Sequence, residues 1–203
     1  MPDAAPVTDE QIHRYREDGF VQLPHFFSGG QMTRLRACID RAIAARRERI
    51  RGAEKGGRVS EDYERVFNQM VNMWTDHPEA KAVALDARLG EAARLLTDCD
   101  QIRLYHDHAM IKPAGQHSKE TNWHQDAPYW PMEPVGSLSA WIAVDDVRID
   151  NGCLHFVPGS HRFGKLEPIR LGVEGESIVD KMRDQGYQVA PPQAIEMEAG
   201  GVT

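Results

Sequence analysis

Near residue 100 the chain changes its hydrophobic period, and that change limits the folds open to it more than any other feature. Before it, Met32, Leu35, Ile39, Ala42 and Ile43 recur at helical spacing. After it, apolar residues alternate in short runs broken by Gly, Pro and Asn. In QIRLYHDHAMIK, residues 101–112, Ile102, Leu104, His106, His108, Met110 and Lys112 fall on one side of an extended segment. Arg103, Tyr105, Asp107, Ala109 and Ile111 fall on the other. Helices followed by strands predict an α+β domain in which the helices brace an antiparallel sheet or barrel.

Helix ends are marked locally. Thr8 with Gln11 and Ser28 with Gln31 have the spacing of capping boxes, and Asp18-Gly19 ends the first helix after Ile12 and Tyr15. Phe20 to Leu23 reads as a short strand. Gly52, Gly56 and Gly57 mark a loop, and Ser60 to Trp74 resumes helical spacing through Val66, Met70 and Met73. Asp76 is expected to cap a helix with Pro78 in its first turn, and a further helix, Arg88 to Leu96, follows Asp86. SLSAWIAVDDV, residues 137–147, has strand character. Asn151-Gly152 is a turn before a short apolar strand that Pro158-Gly159 ends. From Glu174 to Thr203 there is little periodic signal beyond Gln188 to Ala190 and the closing IEMEAGGVT.

The 203 residues suffice for one domain with a real core. A net charge of −7 argues against a nucleic-acid partner, which needs many Lys and Arg contacts to phosphate. Arg34, Arg36, Arg41, Arg46, Arg47 and Arg49 share a helix face that reads as solvated. No apolar run is long enough for a membrane span, and Cys38, Cys99 and Cys153 are odd in number and widely spaced, as reduced thiols are. A soluble, cytoplasmic protein is the expectation.

The chemistry gathers in TNWHQDAPYWP, residues 121–131. In extended backbone, residues i and i+2 point the same way, so His124 and Asp126 can bring an imidazole nitrogen and a carboxylate oxygen to one point. That is two thirds of a 2-His-1-carboxylate facial triad, which leaves positions on Fe(II) open. Gln125 points away, and Pro128-Tyr129-Trp130-Pro131 supplies a rigid aromatic wall of the kind that keeps water from an oxidant. The alternative is a polar turn flanked by packing aromatics. His77-Pro78-Glu79 has similar spacing and is explained by helix capping. His106 and His108 read as a pocket-lining, hydrogen-bonded pair, and His161 as a structural turn residue.

Taken together, YHDHAMIKP, TNWHQDAPYWP, SAWIAVDD and DNGCLHFVPGSH resemble the phytanoyl-CoA dioxygenase family of Fe(II)- and 2-oxoglutarate-dependent oxygenases. The resemblance extends from EDGFVQLPHFFS through RVFNQMVNMW to Ser160-His161. It implies a mainly β core, a double-stranded β-helix (a jelly-roll, cupin-like barrel) with N-terminal helices packed on it. The helical part would span residues 1–100 and the barrel part 101–203 of a single domain. It implies His124 and Asp126 as iron ligands, with Fe(II), 2-oxoglutarate and dioxygen as cofactor and co-substrates. Lys112, Trp141, His108 and, more faintly, Gln69 match positions at the 2-oxoglutarate site. Read from the residues alone, Lys112 is equally a solvated strand end and Trp141 a core residue.

The activity so implied is hydroxylation of a small organic substrate with release of succinate and carbon dioxide. The family takes a second histidine and a 2-oxoglutarate-binding arginine from strands after a Gly-rich turn. EAGGVT looks like that turn, and no histidine follows His161. Truncation at the C-terminus is therefore expected, with an unpaired sheet edge through which copies could form a homo-oligomer. The rival expectations are a non-catalytic cupin-like binding module, a degenerate homologue without a complete iron site, and a zinc hydrolase that lacks a general base beside the pair.

Overall fold

A computed structural model describes residues 5–52, 68–111, 120–131 and 136–203. Helix α1, Asp9–Asp18, begins where Thr8 and Gln11 bond reciprocally. The Gln11 N–H donates to Thr8 Oγ1 at 3.2 Å, and the Thr8 N–H to Gln11 Oε1 at 2.8 Å. It ends on Gly19, whose φ of 86° is the left-handed cap that glycine adopts without strain. Ser28 and Gln31 open α2, Gly29–Gly52, with the same reciprocity. Met32, Leu35, Cys38, Ile39 and Ala42 bury its inner face.

The outer face is more than solvated charge. Arg36 pairs with Asp40 and with Asp145 far along the chain, and Arg41 reaches Glu79 at 2.7 Å. Arg47 and Arg49 lie where side chains are not described.

Helices α3, Pro78–Ala84, and α4, Ala87–Thr97, pack against α2 and α1 respectively. Asp86 caps α4 by accepting the Arg88 N–H at 2.9 Å. Asp76 does not cap α3. It closes a one-turn 3-10 helix, Met73–Thr75, and His77 takes the cap position without a side-chain bond, so that Pro78 alone sets the helix start.

Of the helical spacing expected over Ser60 to Trp74, residues 60–67 lie outside the described residues, and the described part begins with a strand. Asn68–Val71 is β1, antiparallel to β2, His108–Ile111, with Asn68 opposite Ile111 and Val71 opposite His108. Met70 and Met73 satisfy a helical repeat over too few turns to nucleate one, and the ladder offered by β2 prevails. Val66 lies outside the described residues, as does Lys112. Among the described residues the expected long strand from Gln101 is confined to His108–Ile111, with Ala109 and Ile111 packed on the helical core.

The segment around Trp141 does pair, with the end of the chain. Trp141 and Thr203 exchange both backbone bonds at 2.7 and 3.0 Å, Ala143 bonds Gly201 and Gly200, and Val147 exchanges with Met197 at 2.8 and 3.0 Å. Leu23 pairs with Val202 on the other side of that terminal segment, which reduces the expected Phe20 to Leu23 strand to one bridge. The ladder separates two cores. Ile142, Val144 and Val202 pack with the helices, whereas Trp141, Ala143 and Met197 pack with Ile195, Phe156 and Phe20 on the opposite face. Alternation along one segment therefore feeds both sides of the layer.

Beyond the turn at Gly152, φ 98°, strand β3, Leu154–Phe156, pairs antiparallel with β4, Gln193–Ile195. Between them lies α5, Ile178–Asp184, a helix the periodicity does not announce, capped by Ser177. It buries Ile178, Val179 and Met182 against Val157, Ile169 and Trp123. Among the described residues no helix is long and apolar enough to cross a membrane.

Candidate metal centre

His124 and Asp126 come together as their spacing requires. Nε2 of His124 lies 3.2 Å from Oδ1 of Asp126, with the side chains 26% and 46% exposed. The other nitrogen, Nδ1, is 2.7 Å from the Asn122 carbonyl, which can only accept and so fixes the proton on Nδ1. The remaining carboxylate oxygen, Oδ2, accepts the Ser139 hydroxyl at 2.8 Å.

An Nε2 lone pair and a carboxylate oxygen at this distance need a cation between them, either a proton or a metal ion. With a proton, the Asp126 carboxylate raises the His124 pKa above its ordinary value, the Asn122 carbonyl adds to the effect, and burial opposes it. The imidazole in turn holds Asp126 below the usual carboxylate range, with the Ser139 hydroxyl contributing and burial opposing. One neutral imidazole nitrogen and one carboxylate oxygen, each oriented by a second partner, are a donor set that fits a divalent iron.

The stretch around the pair is stitched to the segment that covers it. The Asn122 side-chain amide donates to the carbonyls of Val173 and Glu176 at 3.0 and 2.8 Å, and its oxygen accepts the Gly172 N–H at 2.8 Å. Gln125 points away from Asp126, bonding the Gly164 carbonyl and the Leu166 N–H, both at 2.9 Å. The Tyr129 hydroxyl donates to the Ile169 carbonyl at 2.6 Å and accepts the Ile169 N–H at 3.1 Å. Its ring stands edge-on to His124, 6.2 Å between centroids, so Tyr129 is the part of the expected aromatic wall that reaches the site. Asn122 and Ser139 are site residues that sequence reasoning passes over. Only their nearness to His124 and Asp126 hints at them, because their partners are up to 54 residues away.

A small cleft of about 80 Å³ opens beside His124, between residues 123–125 and β3, lined also by Val157, Ile178 and Met182. His108, on β2, lies within electrostatic reach of Asp126. Burial lowers the His108 pKa and His106 lowers it further, while Asp107 and Asp126 act the other way. The rings of His106 and His108 stand 6.2 Å apart at 57°, which leaves no direct bond between them. Trp141 is half-buried in the core that includes Phe156 and Ala143. Gln69 occupies the β1 position opposite Met110. His161 is structural, with Nε2 3.2 Å from the Arg16 carbonyl and its ring filling the space over Gly19. Among the described residues, no group of three His, Cys, Asp or Glu side chains is placed to hold a metal.

Solved structures share this fold. The chain matches the non-heme alpha ketoglutarate dependent carbocyclase SnoK from nogalamycin biosynthesis at a TM-score of 0.69 and 25% identity, over 97% of this chain and 73% of that one. It matches EctD from S. alaskensis, with 2-oxoglutarate and 5-hydroxyectoine, at 0.72 and 21%, over 100% and 68%. In sequence it is 29% identical to an ectoine dioxygenase of Bordetella bronchiseptica, covering 98% of this chain and 64% of that relative. It is also 29% identical to an L-proline trans-4-hydroxylase of Streptomyces griseoviridis, covering 82% and 60%. The chain therefore spans less than two thirds of the length of these curated relatives. The model of the phytanoyl-CoA dioxygenase family matches residues 15–203, and the chain belongs to that family.

Proposed function

We propose that the protein is an Fe(II)- and 2-oxoglutarate-dependent dioxygenase that hydroxylates a small organic molecule, with His124 and Asp126 as two of its iron ligands. The observation that carries this reading is the convergence of His124 Nε2 and Asp126 Oδ1 at 3.2 Å, with the outer atom of each side chain already engaged by Asn122 and Ser139. Relatives named as an ectoine dioxygenase and a proline hydroxylase, and the 2-oxoglutarate in the similar EctD structure, support it.

His124 and Asp126 would hold iron at this position, and it would supply activation of dioxygen coupled to conversion of 2-oxoglutarate to succinate and carbon dioxide. The chain's own residues supply geometry and shelter. Asn122 fixes which imidazole nitrogen is offered. Tyr129, whose hydroxyl donates to the Ile169 carbonyl and accepts the Ile169 N–H, stands edge-on to one side of the imidazole. Trp141 stands two residues beyond Ser139, on the segment that touches Asp126, and we assign it the contact with 2-oxoglutarate. His108 and Gln69, on the paired strands β2 and β1, and Lys112, which follows β2, complete the proposed co-substrate side.

The architecture proposed is one domain built on a double-stranded β-helix, of which the β3–β4 pair and the Trp141–Thr203 ladder form parts. The third iron ligand comes, on this reading, from outside the described residues. A binding module without catalysis would keep the barrel and lack that ligand. Incubation with Fe(II), ascorbate and 2-oxoglutarate separates the two. Succinate forms if the protein is an oxygenase, and His124→Ala and Asp126→Ala abolish it. Succinate formation indifferent to both substitutions contradicts the assignment.

A further inference from the structure

The two oxygens of Asp126 have separate engagements. Oδ1 faces His124 Nε2 at 3.2 Å, and Oδ2 accepts the Ser139 hydroxyl at 2.8 Å from a residue thirteen positions along the chain. A carboxylate with both oxygens unengaged can grip a metal with one or with two. One whose second oxygen is held by a donor presents a single oxygen. We propose that Ser139 is a positioning residue that makes Asp126 a one-oxygen ligand and ties it to the Trp141 segment. The inference rests on the reading of His124 and Asp126 as metal ligands.

Two features of the site and one requirement of facial coordination support it. Asp126 precedes a single 3-10 turn, Ala127–Tyr129, and makes no capping bond there, so nothing in its own turn orients the carboxylate. Ser139 stands next but one to Trp141, whose backbone is pinned by two bonds to Thr203, so the hydroxyl is delivered from a fixed ladder. Finally, a one-oxygen grip preserves coordination positions. In a facial arrangement three positions must stay open for 2-oxoglutarate and dioxygen, and a two-oxygen carboxylate occupies one of them.

The test uses Co(II) alone, read by calorimetry and by the infrared separation of the carboxylate stretches that change on metal binding. A one-oxygen carboxylate shows a wide separation and a two-oxygen carboxylate a narrow one. Wild type is expected to bind with the wide pattern, and Ser139→Ala to bind about tenfold more weakly with the narrow one. Ser139→Thr, which keeps the hydroxyl, restores both. Equal affinity and an unchanged stretch pattern in Ser139→Ala overturn the proposal, as does an affinity loss that threonine fails to rescue. Failure of wild type to bind, or undiminished binding by His124→Ala, overturns the ligand reading beneath it and is distinguished by that result.

Discussion

His124 Nε2 and Asp126 Oδ1 stand 3.2 Å apart while His124 Nδ1 is committed to the Asn122 carbonyl at 2.7 Å. The pair is an ion pair when protonated and a two-donor chelate when the proton is replaced.

The first prediction concerns that proton. Asp126 raises the His124 pKa, so metal-free protein should show the His124 ring titrating above the ordinary value of about 6.5 in a nuclear magnetic resonance titration. Asp126→Asn should move it back down. The sign for stability follows from linkage. The His124 contribution is fully present below the unfolded histidine value and is lost as pH rises through the raised folded value. The Asp126 contribution is present above the unfolded aspartate value and is lost as pH falls through the lowered one. Metal affinity should do the opposite of the ion pair at the alkaline end and strengthen as pH rises, because metal competes with the proton for Nε2. An affinity independent of pH from about one unit below to about one unit above the ordinary histidine value contradicts this.

Asn122→Ala removes three hydrogen bonds to the Gly172–Glu176 turn and leaves the backbone carbonyl that orients His124. At about 1 kcal/mol net per bond, discounted for partial exposure, the variant should lose about 2 kcal/mol of stability. Amide exchange at Gly172 should accelerate most, before any change at His124. Uniform acceleration across the chain would argue that Asn122 holds the whole domain and not this turn.

Gly200 is required where the terminal segment crosses the helical layer. Its φ is 95°, and a Cβ would lie 2.2 Å from the Phe27 carbonyl oxygen, whose residue also donates its N–H to the Gly200 carbonyl. Gly175 has a similar φ of 79° and open space around it. Gly175→Ala should cost about 1 kcal/mol from backbone strain alone. Gly200→Ala should cost more, about 2 to 3 kcal/mol, because strain and overlap combine. Chemical denaturation of both variants checks the difference, and equal costs would refute the role of the Phe27 contact.

The sequence is most informative where structure is local. The caps at Thr8 and Ser28 and the glycine stops at Gly19, Gly152 and Gly159 form as their spacing predicts, because each involves residues within one turn, whereas the cap expected at Asp76 is displaced by the 3-10 turn that precedes it. The His124–Asp126 convergence is legible for the same reason. Strand β1 is misread because Met70 and Met73 fit a helical repeat, and only its partner almost 40 positions away selects the strand. Helix α5 is missed in a stretch with weak periodicity, although Ser177 marks its start. Ser139 and the side chain of Asn122 carry no signal in the spacing beyond nearness to the pair, since their partners stand 13 and up to 54 positions away. The resemblance carried Trp141 as a co-substrate contact. Its place on the face opposite the helices, next but one to Ser139, is compatible with that role and also makes it part of a core.

The most direct test of the central claim is an anaerobic titration of the protein with Fe(II) in the presence of 2-oxoglutarate, followed by visible absorption. The predicted result is a charge-transfer band that saturates with iron and is absent from His124→Ala and Asp126→Ala. A band of equal intensity in both variants, or none in the wild-type protein, contradicts the assignment of His124 and Asp126 as iron ligands.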